Sequence, residues 1–146
     1  MKRYFSFAIA ITTLMVLVTV TAEAQLSGSQ TMRARIPFAF NVGRTELPAG
    51  DYTIKVLNPN SDRKVLHIRS TDGKLSAIVN TLGARANTSD KAKLVFHRYG
   101  EKYFFAQAQM VGDQVTLAAV KSSAERDAEH SIARNVHSTR VTIIAD

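Results

Sequence analysis

The chain has 146 residues with 19 basic and 12 acidic side chains, so its net charge is +7, and 45% of its residues are hydrophobic. It contains no cysteine, which excludes disulfides, thiolate metal sites, cysteine nucleophiles and a lipidated amino-terminal cysteine. A domain of this length must therefore be held together by its apolar core.

The amino-terminal residues 1–24 have the three regions of a secretory signal peptide. Residues 1–3 are a short basic start, residues 5–21 carry no charge, and residues 22–24 (Ala-Glu-Ala) form the small-x-small pattern of a signal peptidase site. A transmembrane anchor is the alternative, because the uncharged run approaches the roughly 18 to 20 residues that span a bilayer. Four threonines and a serine dilute this run, which favours cleavage after Ala24.

The mature domain predicted from this cleavage is the single β-rich domain of residues 25–146, which contains no further membrane-spanning stretch. Removing the signal peptide takes away two basic residues and one acidic residue, so the net charge falls from +7 to +6. Export without disulfides is typical of a bacterial envelope protein. We therefore expect an exported protein of the periplasm or the extracellular space.

Alternating apolar and polar residues, interrupted by turn signals, predict short strands through most of the mature domain. The first covers residues 33–42 and contains Pro37, which cannot donate a ladder hydrogen bond and so predicts an edge strand or a break. Leu47-Pro48-Ala49-Gly50 suits a type I turn, and Asp72-Gly73 suits a two-residue hairpin turn. Further strands are predicted at residues 52–57, 65–70, 75–82, 93–99, 102–111 and 114–120.

A helix and a last strand follow. The segment Ser122-Ser123-Ala124-Glu125 matches a capping box, in which the serine hydroxyl binds the Glu125 amide and the Glu125 carboxylate reaches back. The helix should run from about residue 123 to 134, with a narrow apolar stripe on the surface of the sheet, formed by Ala124, Ala128 and Ile132. With a strand at 139–145, we predict an all-β antiparallel meander forming a small sandwich or barrel, with one short carboxy-terminal helix.

The most aromatic part of the chain is residues 93–107, which hold five of the eleven Phe and Tyr residues and predict a central hairpin. With Gly100-Glu101 as the loop, the facing pairs are Tyr99–Lys102, Arg98–Tyr103, His97–Phe104 and Phe96–Phe105. Both faces are apolar away from the tip, so the hairpin should be covered on both sides. The face that carries His97 should also carry Val95, Phe104, Ala106 and Ala108.

Three residues of this hairpin are candidates for a site: His97, Arg98 and Tyr103. His97 is either a packed histidine or a general base or ligand, and catalysis would require a nucleophile or carboxylate within hydrogen-bond reach. The nearest carboxylate in the sequence, Glu101, should point to solvent from the loop. Arg98 is expected to make a cation–π contact with Tyr103. This pattern favours packing over catalysis.

The sequence lacks the residue patterns that are typical of other kinds of functional site. The four histidines are separated by 30, 33 and 7 residues, whereas zinc sites usually take two ligands from one local element. There is no Gly-x-Ser-x-Gly nucleophile elbow and no glycine-rich phosphate loop. We therefore predict no catalytic residues, no metal site and no cofactor.

The basic side chains are spread along the sequence, which is typical of a solvated surface. A positive charge also favours anionic envelope polymers or lipid headgroups as partners, through long-range attraction. Another envelope protein is a further possible partner, whereas nucleic acid is not expected of an exported chain without a recognition module. These basic side chains include Arg33, Arg35, Arg44, Arg63, Lys64, Arg69, Lys74, Arg85, Lys91, Lys93, Arg98 and Lys102.

Three motifs that follow the signal peptide resemble those of a group of small exported bacterial proteins whose function is unassigned. They are Ile36-Pro37-Phe38-Ala39-Phe40, the segment from Leu47 to Ile54 (LPAGDYTI) and the segment from Lys93 to Gly100 (KLVFHRYG). The resemblance covers residues 35–107. It implies an exported all-β domain and assigns no catalytic residue.

Three functions remain open at this point. The first is a non-catalytic exported β-domain with a structural or binding role. The second is a carrier barrel for a small apolar ligand, with a cavity lined by Phe38, Phe40, Phe96, Phe104 and Phe105. The third is an enzyme that uses His97, which requires a cleft where His97 meets a carboxylate.

The first testable prediction concerns processing. Protein recovered from the exported fraction should begin at Gln25 when its amino terminus is sequenced, and Ala24→Tyr should block cleavage, because the peptidase accepts small residues at this position. Exported protein that retains Met1 would contradict the prediction.

Overall fold

The computed structural model describes residues 30–132 and 138–146. The predicted signal peptide therefore lies outside the described residues, as does His137. Within the described ranges, no helix is long and apolar enough to cross a membrane.

The described chain is mostly β-structure, with one short helix near the carboxyl terminus, in agreement with the sequence. Only the first predicted strand is divided, because the chain breaks around Pro37. The elements are β1 (Thr31–Ile36), β2 (Phe40–Val42), β3 (Thr45–Leu47), β4 (Gly50–Val56), β5 (Val65–Ser70), β6 (Ser76–Arg85), β7 (Ala92–Tyr99), β8 (Lys102–Gln109), β9 (Val115–Ala119), α1 (Ser123–Ile132) and β10 (Thr139–Ala145).

The hairpin of β2 and β3 was not predicted from the sequence. It turns at Gly43, whose φ of 62° is in the left-handed region that glycine adopts without strain. Each of its strands has three residues, which is too short for an alternating pattern to be recognised. The turn at Pro48 then leads into β4, where the sequence placed it.

The strands pair in a mixed sheet that is not a simple meander. The main order is β1-β4-β5-β6-β9-β8, and β7 and β10 continue from the other edge of β8. The β2–β3 hairpin attaches to the start of β8 through a parallel pairing of Asn41 with Phe104. The meander prediction is wrong at two places: the Pro37 break lets the chain leave β1 for β8, and the polar loop at 86–91 carries it from β6 to β7.

The strands β1 and β10 are also joined to each other. The amide of Arg33 donates to the carbonyl of Asp146 over 2.8 Å, and the amide of Asp146 donates to the carbonyl of Arg33 over 2.9 Å. This reciprocal pair has the pattern of an antiparallel hydrogen-bonded pair of residues.

The predicted register of the aromatic hairpin is confirmed by all four facing pairs. One face assignment is wrong, because a β-bulge changes the alternation. Phe96 pairs with Phe105 while Val95 pairs with Gln107, so Ala106 has no partner. The extra residue turns the remainder of β8 over, and Ala108 joins the core on the face of Phe96 rather than that of His97.

Aromatic rings fill the centre of the main core. Phe96 makes edge-to-face contacts with Phe40 at 5.3 Å and with Phe105 at 6.0 Å, and Phe40 contacts Tyr52 at 5.2 Å between ring centroids. The Tyr52 hydroxyl donates to the carbonyl of Pro48 over 2.6 Å. The turn before β4 is thereby tied to the core.

The helix α1 covers the opposite face of the hairpin, as the sequence suggested for a surface helix. Its Ala128 packs with Tyr99 and Phe104 in a second buried cluster. Part of the predicted stripe is wrong: Ala124 is exposed, and the buried positions are Glu125 and Ala128. The side chain of Ile132 lies outside the described residues.

The second prediction tests this layer. Phe104 is 3% exposed beneath the helix, so Phe104→Ala should lower the free energy of unfolding by about 3 to 5 kcal/mol, because a buried ring is lost and a cavity remains. Chemical denaturation measures this change. The exposed Ile144 is the control, and Ile144→Ala should change stability by less than about 0.5 kcal/mol. A change below about 1 kcal/mol for Phe104→Ala would contradict the packing.

Candidate functional site

His97 does meet a carboxylate, and it comes from the helix rather than from the hairpin loop. Its Nδ1 lies 2.8 Å from Oε1 of Glu125, whose side chain is only 5% exposed, while that of His97 is 23% exposed. Glu101 is exposed, as expected. The sequence indicated only Glu101 as a nearby carboxylate for His97, so Glu125 is a partner that the local sequence did not reveal.

The start of α1 explains why Glu125 is available. The Ser122 hydroxyl accepts a hydrogen bond from the Glu125 amide over 3.1 Å, which is one half of the predicted capping box. The other half is wrong, because the Glu125 carboxylate points to His97. Glu125 and Ala128 are three residues apart and so share a helix face, which is the signal that could have placed Glu125 against the sheet.

Other polar groups surround the pair. The Tyr99 hydroxyl lies 3.4 Å from Oε1 of Glu125; burial raises the pKa of Tyr99, and the negative charge of Glu125 adds to this effect. Lys121 donates to both carboxylate oxygens of Glu129 over 2.8 Å. This hydrogen bond raises the pKa of Lys121 and lowers that of Glu129. Glu125 therefore links α1 to β7, and Glu129 links α1 to Lys121, which precedes the helix.

We call the hydrogen-bonded pair of His97 and Glu125 the clamp, because it joins β7 to α1. Among the side chains of residues 30–132 and 138–146, Glu125 is the one that is hydrogen-bonded to His97. The same ranges contain no group of three His, Asp or Glu side chains that could hold a metal ion. The pair gives a buried carboxyl group a hydrogen-bond partner and holds the helix on the sheet.

The other two candidates lie on the opposite face of the hairpin. The guanidinium of Arg98 is 5.5 Å from the centre of the Tyr103 ring, which confirms the expected cation–π contact. The other side of Tyr103 stacks on Phe38 at 3.9 Å, and Arg98 Nε donates to the Gly100 carbonyl over 2.7 Å. His97, Arg98 and Tyr103 therefore do not form one site.

A second candidate site lies on the outer face of β1, β4 and β5. The pairing places Arg33 beside Thr53 and Thr53 beside Arg69, and it places Lys55 beside His67. These side chains line a groove of about 660 Å³. The interpretation of the basic residues as evenly spread is wrong on this face, because residues that are 36 positions apart in the sequence, from Arg33 to Arg69, are two strands apart in the sheet.

The three cations of the groove lack counter-charges. Within the described parts of the chain, no carboxylate lies within 4.0 Å of the charged groups of Arg33, Lys55 or Arg69; the ion pairs present are Lys74–Asp72, His97–Glu125 and Lys121–Glu129. Asp72 also lines the groove, and its carboxyl group is engaged by its own turn. Hydrogen bonds from the Ser70 hydroxyl and then from the Lys74 amide hold the pKa of this carboxyl below the usual range.

No family model matches the chain, and neither a curated protein nor a solved structure is similar enough to count as a match.

The third prediction tests the clamp. His97→Gln and Glu125→Gln should each lower the free energy of unfolding by about 0.5 to 1.5 kcal/mol, because glutamine cannot reproduce the geometry of the hydrogen bond between His97 and Glu125. The double variant should lose less stability than the sum of the losses in the two single variants. A double-mutant cycle measured by chemical denaturation should give a coupling energy of about 1 kcal/mol.

Asp127, which is exposed on the same helix, provides the control for this cycle. Asp127→Asn should change stability little and should not couple to His97→Gln. Additive effects of His97→Gln and Glu125→Gln would show that the contact does not contribute to stability.

Proposed function

We propose that this protein is a non-catalytic exported β-domain of the bacterial cell envelope that binds an anionic envelope component. The observation that carries the proposal is the groove formed by Arg33, Lys55 and Arg69, in which three cations converge without a carboxylate partner in the described parts of the chain. Arginine and lysine bind phosphate and carboxylate groups through charge-assisted hydrogen bonds.

Export is proposed from the sequence. The basic start, the uncharged run and Ala22-Glu23-Ala24 support it, as does the resemblance to small exported bacterial proteins. The absence of cysteine in the whole sequence is compatible with an envelope protein that relies on its apolar core.

A binding role is favoured over an enzyme because the candidate catalytic group is engaged in packing. His97 holds Glu125 and lies above Phe104, between the sheet and α1. The basic groove, in contrast, is open to solvent and presents its charged groups together.

We also propose that the sheet closes into a small barrel. The strand order runs from β1 to β10, and the reciprocal hydrogen bonds between Arg33 and Asp146 support closure between these two strands. The carrier hypothesis is less well supported. Phe38, Phe40 and Phe105 each contact Phe96, so their rings pack on one another, and Phe104 lies outside under the helix.

The fourth prediction tests the groove with long-chain inorganic polyphosphate as a soluble anionic probe. The triple variant Arg33→Gln, Lys55→Gln, Arg69→Gln should bind the probe at least about tenfold more weakly, because three charge-assisted contacts are lost. Titration calorimetry or fluorescence anisotropy at physiological salt measures the affinity.

The control removes the same charge elsewhere, at Arg44, Lys91 and Lys102, which are exposed near turns. The triple change to Gln at these positions should weaken binding only slightly, because it alters the long-range attraction alone. Equal losses in the two variants would mean that net charge, rather than the groove, attracts the anion, and the proposed function would be wrong.

A further inference from the structure

The basic groove continues into a row of exposed apolar side chains on the same face of the sheet. Ile78 on β6 is 64% exposed and pairs directly with His67 of the groove. Leu57, which lines the groove, is 48% exposed, and Leu82, further along β6, is 53% exposed. We call Leu57, Ile78, Leu82 and Val120 the apolar row.

The alternation of β6 explains why these side chains point outward. Ala77, Val79 and Thr81 are buried, so Ile78 and Leu82 must lie on the opposite face. Leu82 pairs with Ala118 of β9, and Val120 lies two residues beyond Ala118, with 61% of its surface exposed. The apolar row therefore runs beside the groove along β6, where Asn80 separates Ile78 from Leu82 on the exposed face, to Val120, which follows the last residue of β9.

From this arrangement we infer that the groove and the apolar row together form a surface that docks on an anionic lipid bilayer. This inference rests on the proposed function and specifies its partner. Arg33, Lys55 and Arg69 would contact headgroup phosphates, while Ile78 and Leu82 enter the boundary between headgroups and acyl chains. The domain lies on the membrane surface and does not cross it.

The apolar row is the reason for choosing a bilayer over a soluble polyanion. A polysaccharide or polyphosphate chain would be held by the cations alone, and the neighbouring apolar side chains would remain exposed to water. A bilayer offers negative charge and apolar carbon at depths that differ by a few ångströms, so one face of a protein contacts both. Clusters of exposed apolar side chains usually mark such interaction surfaces.

Charge complementarity supports the same partner. The groove cations have no carboxylate within 4.0 Å among residues 30–132 and 138–146, so headgroup phosphates replace water rather than an existing ion pair. Each lysine or arginine near an anionic surface adds to the attraction, and this attraction weakens as salt is added.

The experiment uses protein recovered from the exported fraction and two kinds of vesicle, one of phosphatidylglycerol with phosphatidylcholine and one of phosphatidylcholine alone. Co-sedimentation should show binding to the first kind and little binding to the second. Ile78→Ser with Leu82→Ser should weaken binding to the anionic vesicles by about tenfold or more. The reason is that the variant has lost two apolar side chains whose transfer from water into the bilayer favours binding. The same double variant should bind polyphosphate like the unaltered protein.

The matched control changes two other exposed apolar residues, Val111 and Ile144, which are 61% and 56% exposed and lie off the apolar row. Val111→Ser with Ile144→Ser should leave vesicle binding within about twofold, because neither side chain meets the bilayer in this orientation. Equal losses in both double variants would mean that adsorption is unspecific, which would overturn the inference.

The outcomes separate this inference from the proposed function. If Ile78→Ser with Leu82→Ser has no effect on vesicle binding, while the triple groove variant loses polyphosphate, the groove binds a soluble anion and the membrane inference is wrong. If neither vesicles nor polyphosphate bind to the unaltered protein, both proposals are wrong. If phosphatidylcholine alone binds equally well, charge plays no role and the inference is also wrong.

Discussion

The hairpin of β7 and β8 buries two faces at once, and the arrangement of the other elements follows from this constraint. Phe96 and Phe105 enter the main core on one side, while Tyr99 and Phe104 require a cover on the other. The helix α1 provides this cover with only a small apolar contact at Ala128, so its attachment also depends on the hydrogen bond between Glu125 and His97. A buried carboxylate without this partner would destabilise the domain.

The hydrogen bond between His97 and Glu125 connects the sheet to the helix. A histidine beside a buried carboxylate has the composition of a catalytic dyad. Here the carboxyl group comes from the covering helix, and the Tyr99 hydroxyl of β7 lies 3.4 Å from the same Oε1 atom. The contacts of Glu125 thus join α1 to β7.

The outer face of β1, β4, β5 and β6 has a different character, because it combines charge and exposed apolar surface. Strand pairing places cations from β1, β4 and β5 around one groove and apolar side chains of β6 beside them. The inward face of the same strands is apolar apart from Thr81, whose hydroxyl donates to the Lys64 carbonyl, so the outward positions are free to carry a binding surface. This division is the physical basis of the proposed envelope function.

The sequence alone determined the features that depend on near neighbours in the chain. Local chemistry accounts for the alternation of residues, the Pro37 break, the glycine turns and the register of the aromatic hairpin. It also accounts for the start of α1, which Ser122 caps. Tertiary structure decided the features that depend on distant partners. The bulge at Ala106 is local to the hairpin, and the alternating pattern did not reveal it. Helix docking decides the partner of His97, and strand order places Arg33 and Arg69 around one groove. These residues are 28 and 36 positions apart, and an alternating pattern contains no information about which strands become neighbours.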